Sequence, residues 1–224
     1  MRITISEDMR VLGVFLAYAT VSEVIVEERG EDMENYVRKI VSNLQERFPL
    51  PRRIGENPTV RALREFYWRI GIDPTKVRPS SEALVRRVVR KGTFPKINNV
   101  VDAINLASAE TLVPIGLYDL DKIEGDVSLR RARKGEIFVP IGGKETLLAG
   151  GEPVLADSQK IMFLYPYRDS ELTKVDENTR RVLIVGAGVP GIERPVVRRA
   201  VNLSIELLER FCSGRRSSET MEVG

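Results

Sequence analysis

Three adjacent residues, Arg168-Asp169-Ser170, put a cation, a carboxylate and a hydroxyl at the end of an apolar run. An arginine fork holds a carboxylate or phosphate through two parallel hydrogen bonds. An aspartate takes an amine or orients water, and a serine hydroxyl donates to either partner. A surface arginine–aspartate turn accounts for the same residues, and both readings stay open. A second polar set, Asn98, Asn99, Asp102 and Asn105, crowds one helix start. Capping of free backbone amides explains one or two of its members, and the others are placed to reach a pocket. Tyr165, Tyr167 and Tyr118 offer rings either for stacking on a base or for core packing. The expected catalytic residues are therefore Arg168, Asp169 and Ser170. The expected substrate-binding residues are Asn98, Asn99, Asp102, Asn105, Tyr165 and Tyr167.

The rest of the composition narrows the chemistry. The 224 residues include no histidine and a single cysteine, Cys212. Imidazole bases, His-ligated zinc and Cys-rich metal sites are thereby removed, and no metal or cofactor is expected. Thirty-five basic residues against 32 acidic ones leave a net charge of +3, compatible with a nucleic-acid partner without demanding one. The cations cluster at 86–91, 130–134 and 194–199. Arg86, Arg87, Arg90 and Lys91 share one side of a helix, and with Arg130 and Arg131 they are the expected RNA-binding residues. A solvated polar face is the plainer reading of the same pattern. No apolar run is long enough to span a membrane, so a soluble cytoplasmic chain is expected.

Gly186-Ala187-Gly188-Val189-Pro190-Gly191 matches the spacing of a dinucleotide-binding turn between a strand and a helix. That fingerprint needs a second strand ending in an acidic residue, and here one helix follows and the chain stops. A Gly-rich strand-to-helix turn is the better reading.

The elements that must position these residues follow from apolar spacing. Residues 1–26 read as two or three strands, with 11–19 a buried strand. Met33, Val37, Ile40, Val41, Leu44 and Phe48 recur at helical spacing, and Pro49 and Pro51 stop that helix. Asn57-Pro58 opens a second helix, with Val60, Leu63 and Tyr67 on one face. Ser80 or Ser81 is placed to cap a third, which buries Leu84, Val85, Val88 and Val89 and ends at Gly92. Short strands at 113–118, 136–141, 153–156, 160–165 and 181–185 precede a last helix over 195–212, which buries Val196, Ala200, Leu203, Leu207 and Phe211. Residues 213–224 read as a disordered polar tail. Helices gathered first and last, with strands between them, predict a single α+β domain over 1–212.

Two stretches carry a resemblance. Residues 66–87 (FYWRIGIDPTKVRPSSEALVRR), continued by Phe94-Pro95-Lys96-Ile97-Asn98-Asn99, form the first. The second is Asp119-Leu120-Asp121-Lys122, then LRRARKGE at 129–136 and Leu155-Ala156-Asp157. Across roughly 60–190 the chain resembles the B3/B4 domain, the editing domain of the phenylalanyl-tRNA synthetase beta chain. The resemblance implies a three-layer α+β fold with a β-sandwich element covered by helices. It also implies tRNA, through its aminoacylated 3′ end, as partner, with hydrolysis of a mischarged ester as the activity; in the synthetase the ester is tyrosyl-tRNA(Phe). A threonine, a histidine and a glutamate of the bacterial pocket correspond here to Ile104, Gly116 and Val185. Two functions follow as expectations: a free-standing deacylase acting in trans, or a non-catalytic module that binds tRNA or a free amino acid.

Overall fold

The computed structural model describes residues 1–224. The chain opens with β1 (Ile3–Ile5), α1 (Glu7–Val11) and β2 (Phe15–Ser22). Four helices follow: α2 (Glu31–Arg47), α3 (Pro58–Arg69), α4 (Ser80–Lys91) and α5 (Asn99–Thr111). The strand-rich region runs through β3 (Ile115–Asp119), β4 (Val127–Arg131), β5 (Ile137–Phe138), β6 (Thr146–Leu147), β7 (Pro153–Ala156), β8 (Ile161–Leu164), β9 (Arg168–Asp169) and β10 (Val182–Gly188). Helix α6 (Arg194–Phe211) and the short β11 (Arg215–Arg216) and β12 (Met221–Val223) close it.

Two five-stranded sheets carry the fold. The first has the order β1-β4-β7-β8-β9, with β1 and β4 parallel and the other pairs antiparallel. The second has the order β11-β2-β10-β3, with β12 also pairing with β2. Alternation along the strands of the second sheet sets the layers. Gly186 faces α6, where a Cβ would stand 2.9 Å from Val197, so the helix lies close on that side. The opposite face carries Tyr118, whose ring meets Phe163 of the first sheet at 6.4 Å between centroids. The molecule is α+β, with helices over a sandwich of two sheets. A continuous cluster of 55 buried apolar residues runs through all three layers. A second cluster of seven, including Phe138 and Leu148, lies under the β5–β6 arm.

Local chemistry explains most boundaries. Asn57 caps α3 by accepting from the Thr59 amide at 3.0 Å, and Asn98 caps α5 by accepting from Val101 at 2.8 Å. Gly92 ends α4 in the left-handed conformation, φ +65, which costs a glycine nothing.

Several expectations are corrected. Helix α4 is preceded by Pro79 and has no side-chain cap, because the Ser81 hydroxyl is spent on the Leu112 carbonyl at 2.8 Å. Val11 ends α1 instead of starting a strand. Helix α6 buries the expected Ala200 and Leu207, but with Val197, Val201, Ser204, Ile205 and Leu208; Val196, Leu203 and Phe211 sit at the border. The polar tail is not disordered: Arg215 lies opposite Ser22 and Met221 opposite Tyr18. Without it β2 would be an edge strand with unpaired backbone groups, and pairing satisfies those whatever the side chains are.

Candidate functional site

Strand β3 is an edge of the second sheet and β9 an edge of the first. Beside these two edges, under α5, lies a cavity of about 280 Å³. Val101, Ile104 and Asn105 reach it from α5, a spacing that puts all three on one helix face. Ile115 and Leu117 reach it from β3, Asp169 from β9 and Lys174 from the following loop. Seven of its ten lining residues are apolar.

Asp169 is the polar centre of this cavity. Its Oδ1 is fully enclosed and has no hydrogen-bond partner, and the same is true of the Tyr118 hydroxyl. The two face one another without closing a bond of normal geometry. Burial pushes the Asp169 carboxyl up to about 7, and the Tyr118 hydroxyl offsets part of that rise. Burial, with the Asp169 charge beside it, drives the Tyr118 phenol well above its ordinary value. Tyr118 reaches this position because Gly116, two residues earlier on the same strand face, has no side chain. A Cβ at Gly116 would overlap the phenol and stand 2.6 Å from its Cζ. Val185 lies directly opposite Gly116 on β10, so two of the three positions where the resemblance implies polar residues are cross-strand neighbours here. The third, Ile104, lines the cavity.

The nine expected site residues part company. Asp169 and Asn105 meet in the cavity. Arg168 is exposed and is not among the cavity's lining residues. The Ser170 hydroxyl is occupied, donating to the Val139 carbonyl at 3.1 Å and accepting from the Leu172 amide at 3.2 Å. Asn98 is the α5 cap described above. Asn99 is buried and stitches three segments: its Oδ1 accepts from Glu27 at 2.9 Å, and its amide donates to the Ile25 carbonyl at 2.9 Å and to Phe211. Asp102 is buried 3.1 Å from the Arg29 guanidinium. Burial lifts its carboxyl to about 6, against the pull of the Ile97 amide and of Arg29. The Tyr165 hydroxyl donates to the Gly188 carbonyl at 2.7 Å, deep in the core, while Tyr167 packs on Tyr67. Lys174 and Val101 were not singled out from the sequence. The spacing of Val101, Ile104 and Asn105 was the available signal for the helix side of the cavity.

The cations also divide. Arg86, Arg87, Arg90 and Lys91 line one cleft together with Arg78. Arg130 instead forms a two-pronged pair with Glu136 at 2.8 and 2.7 Å, and Arg131 lies 3.2 Å from Asp8. Within 194–199, Arg194 stacks on the Phe15 ring at 4.7 Å and Arg198 pairs with Glu222.

The motif residues behind the resemblance hold turns. Asp119 accepts from Thr179 Oγ1 at 2.7 Å and from the Asp121 amide at 3.0 Å. Asp157 accepts from the backbone amides of Glu124, Gln159 and Lys160. Burial raises the Asp157 carboxyl, but those amides and the Lys160 ammonium outweigh it and hold the group below its usual range. The glycine pattern is also a packing device: a Cβ at Gly188 would overlap the Phe15 ring, and Gly191 needs φ +91. Cys212 is buried, which pushes its thiol up to about 12 and makes it a poor nucleophile. No group of three or more Cys, Asp or Glu side chains is placed to hold a metal ion.

A family model described as the B3/4 domain matches residues 62–223. The chain belongs to the B3/4 domain family. Among curated relatives, the phenylalanine–tRNA ligase beta subunit of Bradyrhizobium diazoefficiens is 30% identical over 184 residues, 82% of this chain and 22% of the relative. The same subunit from Aquifex aeolicus is 28% identical over 174 residues, 73% of this chain and 22% of the relative. This B3/4 chain thus spans about a fifth of the curated relatives it matches. An N-terminal fragment of the phenylalanyl-tRNA synthetase beta subunit from Pyrococcus horikoshii shares the fold: its TM-score is 0.52 at 17% identity, covering 99% of this chain and 53% of the fragment. No helix is long and apolar enough to cross a membrane.

Proposed function

We propose that this B3/4 chain takes the aminoacylated 3′ end of a tRNA into the Asp169 cavity and hydrolyses the aminoacyl ester. The observation that carries the reading is the half-buried Asp169, whose enclosed Oδ1 has no partner and which lines a mostly apolar cavity of about 280 Å³. The substrate class comes from the relatives, which are named as phenylalanine–tRNA ligase beta subunits. A carboxyl lifted to about 7 is half ionised at neutral pH, where a general base works best. Asp169 takes a proton from water as the water oxygen bonds to the ester carbonyl carbon. The bond from that carbon to the ribose oxygen breaks, and the proton returns to the departing oxygen. Asn105 and Lys174 line the same cavity and offer N–H donors to the carbonyl oxygen as charge builds on it. The apolar walls select an amino acid whose side chain is largely apolar.

The second reading, a binding module without chemistry, is favoured by Ile104, Gly116 and Val185, none of which can ionise. One experiment separates the two: release of amino acid from a panel of correctly and incorrectly charged tRNAs, with wild type and Asp169→Asn. Multiple turnovers with one ester, lost in the variant, support the hydrolase. Saturable binding with no release makes the chain a reader, and release unchanged by Asp169→Asn overturns the assignment of Asp169.

A further inference from the structure

The cleft along α4 has about 380 Å³ of volume and six lining residues, of which only Ala83 is uncharged. Arg86, Arg87, Arg90 and Lys91 come from α4, and Arg78 comes from the loop that precedes it. From Ala83 to Lys91 the cleft follows about 12 Å of helix. The nearest carboxylate is Glu82, which is buried and already committed: Arg64 holds it with bonds of 2.8 and 2.6 Å, and Arg86 with one of 2.6 Å. Burial favours the neutral acid, but the two guanidinium groups prevail and keep Glu82 below its usual range. Glu82 therefore fixes the Arg86 side chain as one wall of the cleft. Arg78, Arg87, Arg90 and Lys91 make no ion pair and no side-chain hydrogen bond, and all four are exposed.

Like charges at i and i+4, Arg86 with Arg90 and Arg87 with Lys91, destabilise a helix unless a counter-charge is supplied. Glu82 supplies it to Arg86 alone, and no side chain of the molecule pairs with Arg87, Arg90 or Lys91. We infer that this cleft binds the phosphate backbone of an RNA. Four of its five cations are arginines, whose planar forks match phosphate oxygens two at a time. Its lining offers no apolar socket for the anchor side chains of a peptide groove and no apolar face for a lipid surface. No residue lines both this cleft and the Asp169 cavity, so RNA binding here needs neither an ester nor hydrolysis.

The test is fluorescence anisotropy with an uncharged tRNA and an unrelated RNA hairpin, over a salt series, using the full chain. Wild type is compared with Arg87→Glu/Arg90→Glu and with the milder Arg87→Gln/Arg90→Gln. A control, Lys39→Glu/Lys144→Glu, makes the same charge change at exposed positions outside the cleft. Each lost phosphate contact flattens the plot of log K against log salt by roughly 0.7–0.9. The cleft variants should bind at least tenfold more weakly, on the order of 1.4 kcal/mol, with the Gln pair confirming the direction. The control should move affinity less than twofold. Equal loss in control and cleft variants overturns the proposal. So does tight binding of tripolyphosphate without RNA, or of an acidic peptide as strongly as RNA at the same salt.

Discussion

The sharpest prediction concerns the Asp169 carboxyl, because its environment fixes both sign and size. In the unfolded chain an aspartate titrates near 3.9; in the fold, burial moves Asp169 to about 7. Between those values the folded protein holds a proton that the unfolded chain has lost, so folding stability falls as pH rises through the window. The difference of about 3 pH units, at 1.36 kcal/mol each, gives a penalty of about 4 kcal/mol above pH 7. Between a third and a half of it is present by pH 5, leaving roughly 2–3 kcal/mol to appear between pH 5 and pH 8. Asp169→Asn has nothing to ionise and escapes the penalty. Urea unfolding of both proteins at pH 5 and pH 8 should show the variant gaining roughly 2–3 kcal/mol on wild type, with no further gain above pH 8. A gap between the two that is the same at both pH values would refute the reasoning. The same carboxyl predicts an ester hydrolysis rate that climbs about tenfold from pH 6 to pH 8 and then levels.

Glu82→Ala leaves Arg64 and Arg86 without their shared carboxylate and should cost about 3–5 kcal/mol in denaturant unfolding, with Glu82→Gln losing less. Gly188→Ala drives a methyl into the Phe15 ring on the neighbouring strand and should cost about 1–3 kcal/mol. An unfolding midpoint that stays put would show that Phe15 can yield.

How much of this was legible in the sequence depended on the range of each interaction. The apolar spacing from Met33 to Leu44 and the caps Asn57, Asn98 and Gly92 are local, and they placed α2, α3, α5 and the end of α4. The pairing of β2 with β10 joins segments roughly 160 residues apart, and no local pattern encodes it. Arg215–Arg216 and Met221–Val223 have neither the length nor the composition of strands; the open edge of β2 makes them so. Within the candidate site, Arg168, Asp169 and Ser170 were inseparable as adjacent residues. On the two-residue edge strand Arg168 and Asp169 point in opposite directions, so only Asp169 reaches the cavity, while Ser170, just past the strand, is buried with its hydroxyl committed to Val139 and Leu172. The asparagine set divides for the corresponding helical reason. Asn99 lies about 200° from Val101 around α5, so it ties loops together while Asn105 faces the cavity.

Gly116 links the sequence departure to the site. Where the resemblance places a histidine, this chain has a residue with no side chain at all, and the space is taken by the phenol of Tyr118 from the same strand face. That phenol faces Asp169 on the edge of the opposite sheet. On the proposed function the reacting carboxyl therefore sits on β9 of the first sheet, and not on β3, where the resemblance places the histidine. Tyr118 itself cannot act as a base, since burial holds it protonated. Its role is to moderate Asp169: the hydroxyl favours the carboxylate and keeps a buried acid within reach of neutral pH. Tyr118→Phe should therefore raise the Asp169 titration and move the rising limb of the hydrolysis profile to higher pH. A limb that stays in place would mean that the hydroxyl does not reach the carboxylate.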